Sequence, residues 1–113
     1  MRADSDRLLD ILEAIAAIRE YAVSRQRFDE DRMLRVWCLH HVTVIGEAAA
    51  RVSEATRVAH PEVPWRGVIG MRNAVVHGYF QVDWDELWNV VERDLEPLRK
   101  AIAAMVDLDR SRV

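Results

Sequence analysis

The side chains best suited to chemistry crowd into one short stretch of the chain, MRNAVVHGYF at residues 71–80. Arg72, Asn73, His77 and Tyr79 all lie within it. A histidine titrates near neutral pH, so His77 can take the proton of a ribose 2′-hydroxyl or protonate a leaving oxygen. Arg72 stays cationic and can donate two hydrogen bonds to a phosphate as its negative charge grows. Asn73 can orient the imidazole or bind the phosphate as a neutral donor, so these residue types suit RNA cleavage without a metal ion.

A plainer interpretation of the same stretch is a solvated helix end. Asn73 and His77 are four residues apart, which predicts that they share one face of a helix. Gly78 then falls where a left-handed cap would end the helix and bring Tyr79 back over its terminus. A histidine near a helix C-terminus is favourable for electrostatic reasons alone. Spacing by itself therefore favours the cap over the catalytic interpretation.

Apolar residues at intervals of three and four positions predict the helices that carry this stretch. Four segments follow the pattern: about Ser5 to Arg25, Asp29 to Val58, Trp65 to His77 and Trp84 to Leu108. Short loops between amphipathic helices predict an all-α, antiparallel four-helix-type bundle that forms a single domain over residues 1–113. Pro97 should kink the last helix near Arg93 to Glu96, and the small residues from Gly46 to Ala50 should let a neighbouring helix approach closely.

The helix ends have recognisable signals. Asp4 or Ser5 can cap the first helix, and Asp83 with Glu86 has capping-box spacing before the fourth. For the second helix the spacing predicts a cap at Asp29 and a hydrophobic staple between Phe28 and Met33. Its apolar stripe is expected at Met33, Trp37, Val44, Ala48 and Val52.

Composition excludes several classes of protein. A net charge of −3 argues against a protein that coats nucleic acid nonspecifically, although a local positive site remains compatible with it. The sequence has no long apolar run and no signal-peptide pattern, and its single cysteine, Cys38, cannot form an internal disulfide. A buried, reduced thiol, no membrane association and a cytoplasmic location are therefore expected. No Cys, His and carboxylate set has zinc-ligand spacing, since His40 and His41 are adjacent, so we expect no metal and no cofactor.

A resemblance to a known family strengthens the catalytic interpretation. Arg72, His77 and Tyr79, in the order Arg, four residues, His, one residue, Tyr, resemble the signature of the HepT family within the HEPN superfamily. Further landmarks resemble that family in the same order: IGEA (45–48), PW (64–65), GMRN (70–73), VDWDELW (82–88) and DLEPL (94–98). The similarity spans roughly residues 8 to 106.

The resemblance implies a metal-independent endoribonuclease toxin of a type VII toxin–antitoxin system, acting on an RNA substrate. Arg72 and His77 match the family's catalytic arginine and histidine, and Asn73 matches the polar residue that follows the arginine. Tyr79 matches the tyrosine to which a partner antitoxin, an MntA-like minimal nucleotidyltransferase, transfers AMP. The resemblance also implies a homodimer in which two motifs face each other.

Two other functions remain open from the sequence. The chain could be a non-catalytic helical companion that binds substrate for a nucleotidyltransferase, or a purely structural helical dimer. The intact Arg72 and His77 favour the enzyme. Glu47 could pair with an arginine near the motif or be solvated, and the four tryptophans are expected in core or interface packing rather than stacked on bases. They are Trp37, Trp65, Trp84 and Trp88.

Overall fold

The computed structural model describes residues 3–78 and 81–111. This part of the chain is all-α, as predicted, but the helices are shorter and more numerous than the four segments expected. In chain order they are α1 (Asp4–Tyr21), α2 (Arg25–Glu30), α3 (Arg32–Arg51), α4 (Glu54–Ala59), α5 (Trp65–Ile69), α6 (Met71–Val75), α7 (Trp84–Asn89), a π-helical turn (Val90–Asp94) and α8 (Leu95–Ser111). None of the helices so described has both the length and the apolar character needed to cross a bilayer.

The long helices α1, α3 and α8 supply most of one apolar core. Each presents a stripe of buried residues at intervals of three or four, which places them on one helix face. These residues include Leu8, Ile11, Ile15 and Ile18 of α1, Leu34, Cys38, Val42 and Ile45 of α3, and Leu95, Leu98, Ile102 and Met105 of α8. Burial raises the pKa of the Cys38 thiol to about 11, so the predicted buried thiol is confirmed and stays protonated.

The start of α3 differs from the prediction. Asp31, not Asp29, is its N-cap, and the Asp31 side chain accepts a hydrogen bond from the Leu34 backbone N–H at 3.1 Å. Phe28 is buried within the separate helix α2, whereas Met33 is 75% exposed. The predicted staple between Phe28 and Met33 is therefore wrong, because the two side chains belong to different helices.

The apolar stripe of α3 also differs at its first two positions. Leu34 and Cys38 face the core where Met33 and Trp37 were expected. Trp37 stays partly exposed, and its indole N–H donates to the Ala17 carbonyl of α1 at 3.0 Å. Farther along, Ala48 and Val52 are buried as predicted, and Val44 packs against the core while partly exposed.

Asp4 joins two helices instead of capping its own. The N-cap of α1 is Ala3, and the Asp4 carboxylate accepts hydrogen bonds from the Ser53 N–H and hydroxyl and from the Thr56 hydroxyl. The Ser53 hydroxyl lowers the pKa of Asp4 most, with Thr56 next. Asp4 therefore ties the start of α1 to the start of α4, so the predicted cap is wrong.

The predicted kink before Pro97 takes the form of the π-helical turn. Pro97 has no N–H and its ring would clash with the carbonyl four residues earlier, that of Arg93. Just before it the helix widens, and the Leu95 N–H bonds to the Val90 carbonyl, five residues back. The predicted cap of α7 is confirmed, because Asp83 accepts a hydrogen bond from the Glu86 N–H at 3.0 Å.

Helices α3 and α5 approach closely at Gly46. A Cβ atom at this position would lie 3.2 Å from the carbonyl oxygen of Ile69 and 3.3 Å from that of Val68. Both distances are shorter than ordinary van der Waals contact. The close approach predicted for the small residues of α3 is confirmed, and glycine is the residue that permits it.

Replacing Gly46 by valine should separate α3 from α5. We expect a loss of about 1–3 kcal/mol in the free energy of unfolding, because the new side chain meets backbone that cannot rotate away. Gly67→Ala is the matched control: a Cβ there meets nothing within 4 Å, and alanine stabilises a helix by about 0.5–1 kcal/mol relative to glycine. Urea denaturation measures both, and equal stability of Gly46→Val and the parent would contradict the close approach.

Candidate active site

The short helices α5 and α6 place the motif arginine. Pro64 is the N-cap of α5, and proline suits a helix start because its missing N–H loses no hydrogen bond there. Gly70 separates the two helices, but its N–H bonds to the Arg66 carbonyl and its carbonyl accepts from the Ala74 N–H. The backbone hydrogen bonds therefore run on through the junction, and α6 continues the course of α5.

Helix α6 ends at Val75, so His77 lies outside it. The predicted helix to His77, and the shared helix face for Asn73 and His77, are therefore wrong. After Val75 the chain becomes extended, and Val76 forms an isolated antiparallel bridge with Val82. Extended structure suits β-branched valines, whereas the helical period had predicted two more helical positions, Val76 and His77.

Backbone hydrogen bonds fix the loop that carries His77. The His77 N–H donates to the Gln81 carbonyl at 2.8 Å, and the Asp83 N–H donates to the Val75 carbonyl at 2.7 Å. Gly78 has φ +81°, so the left-handed conformation predicted for it is confirmed. Gly78 adopts this conformation within the loop and does not cap a helix.

A groove of about 380 Å³ lies where α3 meets α5 and α6. Its lining consists of Thr43, Gly46, Glu47, Ala50, Ile69, Arg72 and Asn73. The exposed Arg72 donates a hydrogen bond from Nη1 to the Asn73 Oδ1 at 3.3 Å. Within the described residues no ion pair joins Arg72 to Glu47, so the pairing considered for Glu47 is not observed. Arg72 thus has hydrogen-bond donors available for an anion in the groove.

The motif residues lie in two settings. Arg72 and Asn73 share the groove, whereas His77 is exposed on the adjoining loop and does not line it. Tyr79 lies outside the described residues. The arginine and the histidine are both accessible, as a site for RNA requires. Sequence reasoning missed Thr43 and Ile69 as lining residues, since neither carries a local signal of contact with α3 or α6.

The other residues considered for a functional role are mainly structural. Trp65 and Trp88 are buried, as predicted, and Trp84 is partly buried with the Arg35 guanidinium 5.5 Å from its ring centre. His41 packs on Trp37, and burial lowers its pKa. No group of three or more His, Cys, Asp or Glu side chains could hold a metal ion over residues 3–78 and 81–111.

Comparison with known proteins gives the family. The family model described as ribonuclease HepT-like matches residues 11–105. A protein of Thermococcus cleftensis named probable ribonuclease HepT is 34% identical over 100 residues, which cover 87% of this chain and 91% of the relative. A protein of Methanocaldococcus jannaschii, named provisionally as an RNase, is 31% identical over 97 residues, 84% of this chain and 89% of the relative. No solved structure matches significantly. The chain belongs to the HepT-like ribonuclease family, which confirms the resemblance in the sequence.

The left-handed conformation of Gly78 leads to a prediction about the loop. Gly78→Val should lower the free energy of unfolding by about 1–2 kcal/mol, because a Cβ disfavours positive φ. A steric clash is not the cause of this loss, since a Cβ atom at Gly78 would meet nothing within 4 Å. Gly78→Asn is the control, because asparagine tolerates this conformation better. If thermal unfolding shows the two variants equally stable, the loop does not depend on positive φ.

Proposed function

We propose that this HepT-like ribonuclease is the endoribonuclease toxin of a type VII toxin–antitoxin pair and cuts RNA without a metal ion. The observation that carries the proposal is the position of Arg72: exposed, without a carboxylate partner in the described chain, and in a groove one short loop away from an exposed histidine. Arg72 binds the phosphate at the scissile bond, and Asn73 holds the guanidinium through its side-chain oxygen.

The proposed reaction is an internal displacement at phosphorus. His77 takes the proton of the 2′-hydroxyl, the 2′-oxygen bonds to phosphorus, and the bond to the 5′-oxygen breaks as that oxygen gains a proton. Arg72 stabilises the added negative charge with two directed hydrogen bonds. In the homodimer that we propose, the second histidine supplies the proton to the leaving oxygen, so each copy contributes one proton-transfer group.

Loss of either motif residue should abolish most of the cleavage. We expect His77→Ala to lower the cleavage rate by about 10²–10⁴-fold, because a positioned proton-transfer group is lost. Arg72→Ala should lower it by about 10²–10³-fold through loss of transition-state hydrogen bonds. The measurement is the decay of total RNA with purified protein in the presence of a chelator.

Controls for this experiment come from the same chain. His40→Ala removes an exposed histidine outside the motif and should keep full activity. Arg72→Lys retains charge but not the paired donors, so it should recover only part of the rate. Cleavage that stops on adding the chelator would refute metal independence. Unchanged cleavage by His77→Ala would refute the site and leave the non-catalytic companion as the better interpretation.

Control of the toxin follows from the same electrostatics. A partner nucleotidyltransferase moves AMP from ATP to the hydroxyl of Tyr79, with release of pyrophosphate. The product is a phosphodiester anion two residues from His77 in the chain. Such an anion can pair with Arg72 and exclude the phosphate of RNA.

Modification of Tyr79 should therefore silence the enzyme. RNA decay is measured before and after treatment with an MntA-like antitoxin and ATP, and mass spectrometry follows the added AMP. We expect cleavage to fall to background in step with modification, while Tyr79→Phe gains no AMP and keeps its cleavage activity after treatment. Full cleavage by the modified protein would rule out this mode of control.

Growth arrest on expression, relieved by His77→Ala, distinguishes a toxin from a silent companion.

A further inference from the structure

We propose that Arg57 and Arg66 form a second RNA-binding site, which holds the phosphates of the strand beyond the one bound at Arg72. This inference rests on the proposed ribonuclease function and adds the path that the substrate takes over the surface. It assigns a binding role to two arginines outside the sequence motif.

A second groove adjoins the first. It has a volume of about 420 Å³ and lies between α4 and α5, lined by Glu54, Arg57, Val58, Trp65, Arg66 and Ile69. Ile69 lines both grooves. A strand leaving Arg72 can therefore pass over Ile69 into the second groove without crossing another helix.

The spacing along α5 and α6 supports a continuous path. Arg66, Ile69 and Asn73 are three and four residues apart, so they follow one face of the nearly continuous helix pair. Arg66 precedes Arg72 by six residues, or about 9 Å at 1.5 Å per residue. Arg72 itself lies about 120° round the helix axis from Arg66, because six residues make about one and two-thirds turns. The two guanidinium groups therefore lie on different sides of the helix pair, but each lines one of the two grooves that meet at Ile69.

Both new arginines have unused hydrogen-bonding capacity. Unlike Arg19, Arg25 and Arg99, which form ion pairs, Arg57 and Arg66 have no carboxylate partner in the part of the chain that the structure describes. The Arg57 Nε is buried without a hydrogen-bond partner there, which is uncommon for a buried donor. A phosphate oxygen is the acceptor that best fits a guanidinium.

The charge and the surface of the two grooves suit a single strand. They carry three arginines and two glutamates, Glu47 and Glu54, so they are positive by one while the chain has a net charge of −3. Val58 is 72% exposed at the second groove and gives apolar surface for ribose and bases. Positive groups beside apolar surface are typical of sequence-tolerant binding of single-stranded RNA.

The experiment measures RNA binding as a function of salt in the His77→Ala background, where cleavage is slow on the time scale of the measurement. Fluorescence anisotropy follows a trinucleotide, which reaches only Arg72, and a single strand several times longer. For the long strand the double variant Arg57→Ala/Arg66→Ala should bind at least about 10-fold more weakly, and its salt slope should fall by about 1.4, or about 0.7 per lost phosphate contact. Trinucleotide binding should not change.

Arg32→Ala is the matched control, because Arg32 is exposed at the far end of α3, about 21 Å along the axis from Gly46. It should leave the salt slope unchanged, and a double variant that behaves like Arg32→Ala overturns the inference. Arg66 is exposed, and Arg66→Ala alone should lower the salt slope by about half as much as the double variant does, which keeps the test valid if the Arg57 change harms folding.

A change in oligomeric mass with an unchanged salt slope would assign the groove to a second copy of the chain and also overturn the inference. Failure of the proposed function would appear separately, as unchanged cleavage by Arg72→Ala.

Discussion

The contact between α3 and α5 at Gly46 is the constraint on which the site depends. Backbone carbonyls of Val68 and Ile69 come within 3.3 Å of the point where a side chain would begin. Any other residue would require the α5 backbone to move away by a few tenths of an ångström, and α6 follows α5 through the hydrogen bonds at Gly70. The position of Arg72 over α3 therefore depends on glycine, which has no side chain, at position 46. The groove beside it is lined by a second small residue, Ala50.

The second half of the motif is positioned by a different kind of interaction. Arg72 is held by a helix, whereas His77 is held by backbone hydrogen bonds across a short loop, from His77 to Gln81 and from Asp83 to Val75. Asp83 also caps α7, so the loop is anchored to a helix at its far end as well. The imidazole and the guanidinium can thus keep a stable relation although no side-chain contact joins them. An exposed histidine on an anchored loop is also free to meet a second copy of the motif, as the proposed dimer requires.

Local signals predicted much of this fold, and non-local contacts account for most of the errors. The all-α class, the widened turn before Pro97, the cap at Asp83 and the close approach at Gly46 all follow from individual residue types. Helix α2 has only six residues, too few to give a period, and its buried Phe28 resembled a residue preceding a cap. Helix α6 ends early because Val76 pairs with Val82, a contact between residues that periodicity treats separately. Likewise Arg72 and Asn73 were evident from the motif, but Thr43 and Ile69 join them only through tertiary packing.

The distribution of charge explains how an acidic chain can act on RNA. Several arginines are already used inside the protein: Arg19 and Arg99 bind Glu96, Arg25 binds Asp29 and Asp85, and Arg35 donates to the carbonyls of Phe28 and Asp29. Those on α4, α5 and α6 have no carboxylate partner within the described ranges, and Arg72 donates one hydrogen bond to the Asn73 side-chain oxygen. Other arginines, such as Arg32, also lack an ion pair there, but Arg57, Arg66 and Arg72 line two adjoining grooves. The grouping of available cations in a groove, rather than their total number, therefore marks the surface proposed to bind phosphate. The same property explains why one added anion would suffice for control in the proposed mechanism. The two grooves together are positive by a single charge, so they lose their attraction for RNA when one phosphodiester occupies the guanidinium of Arg72.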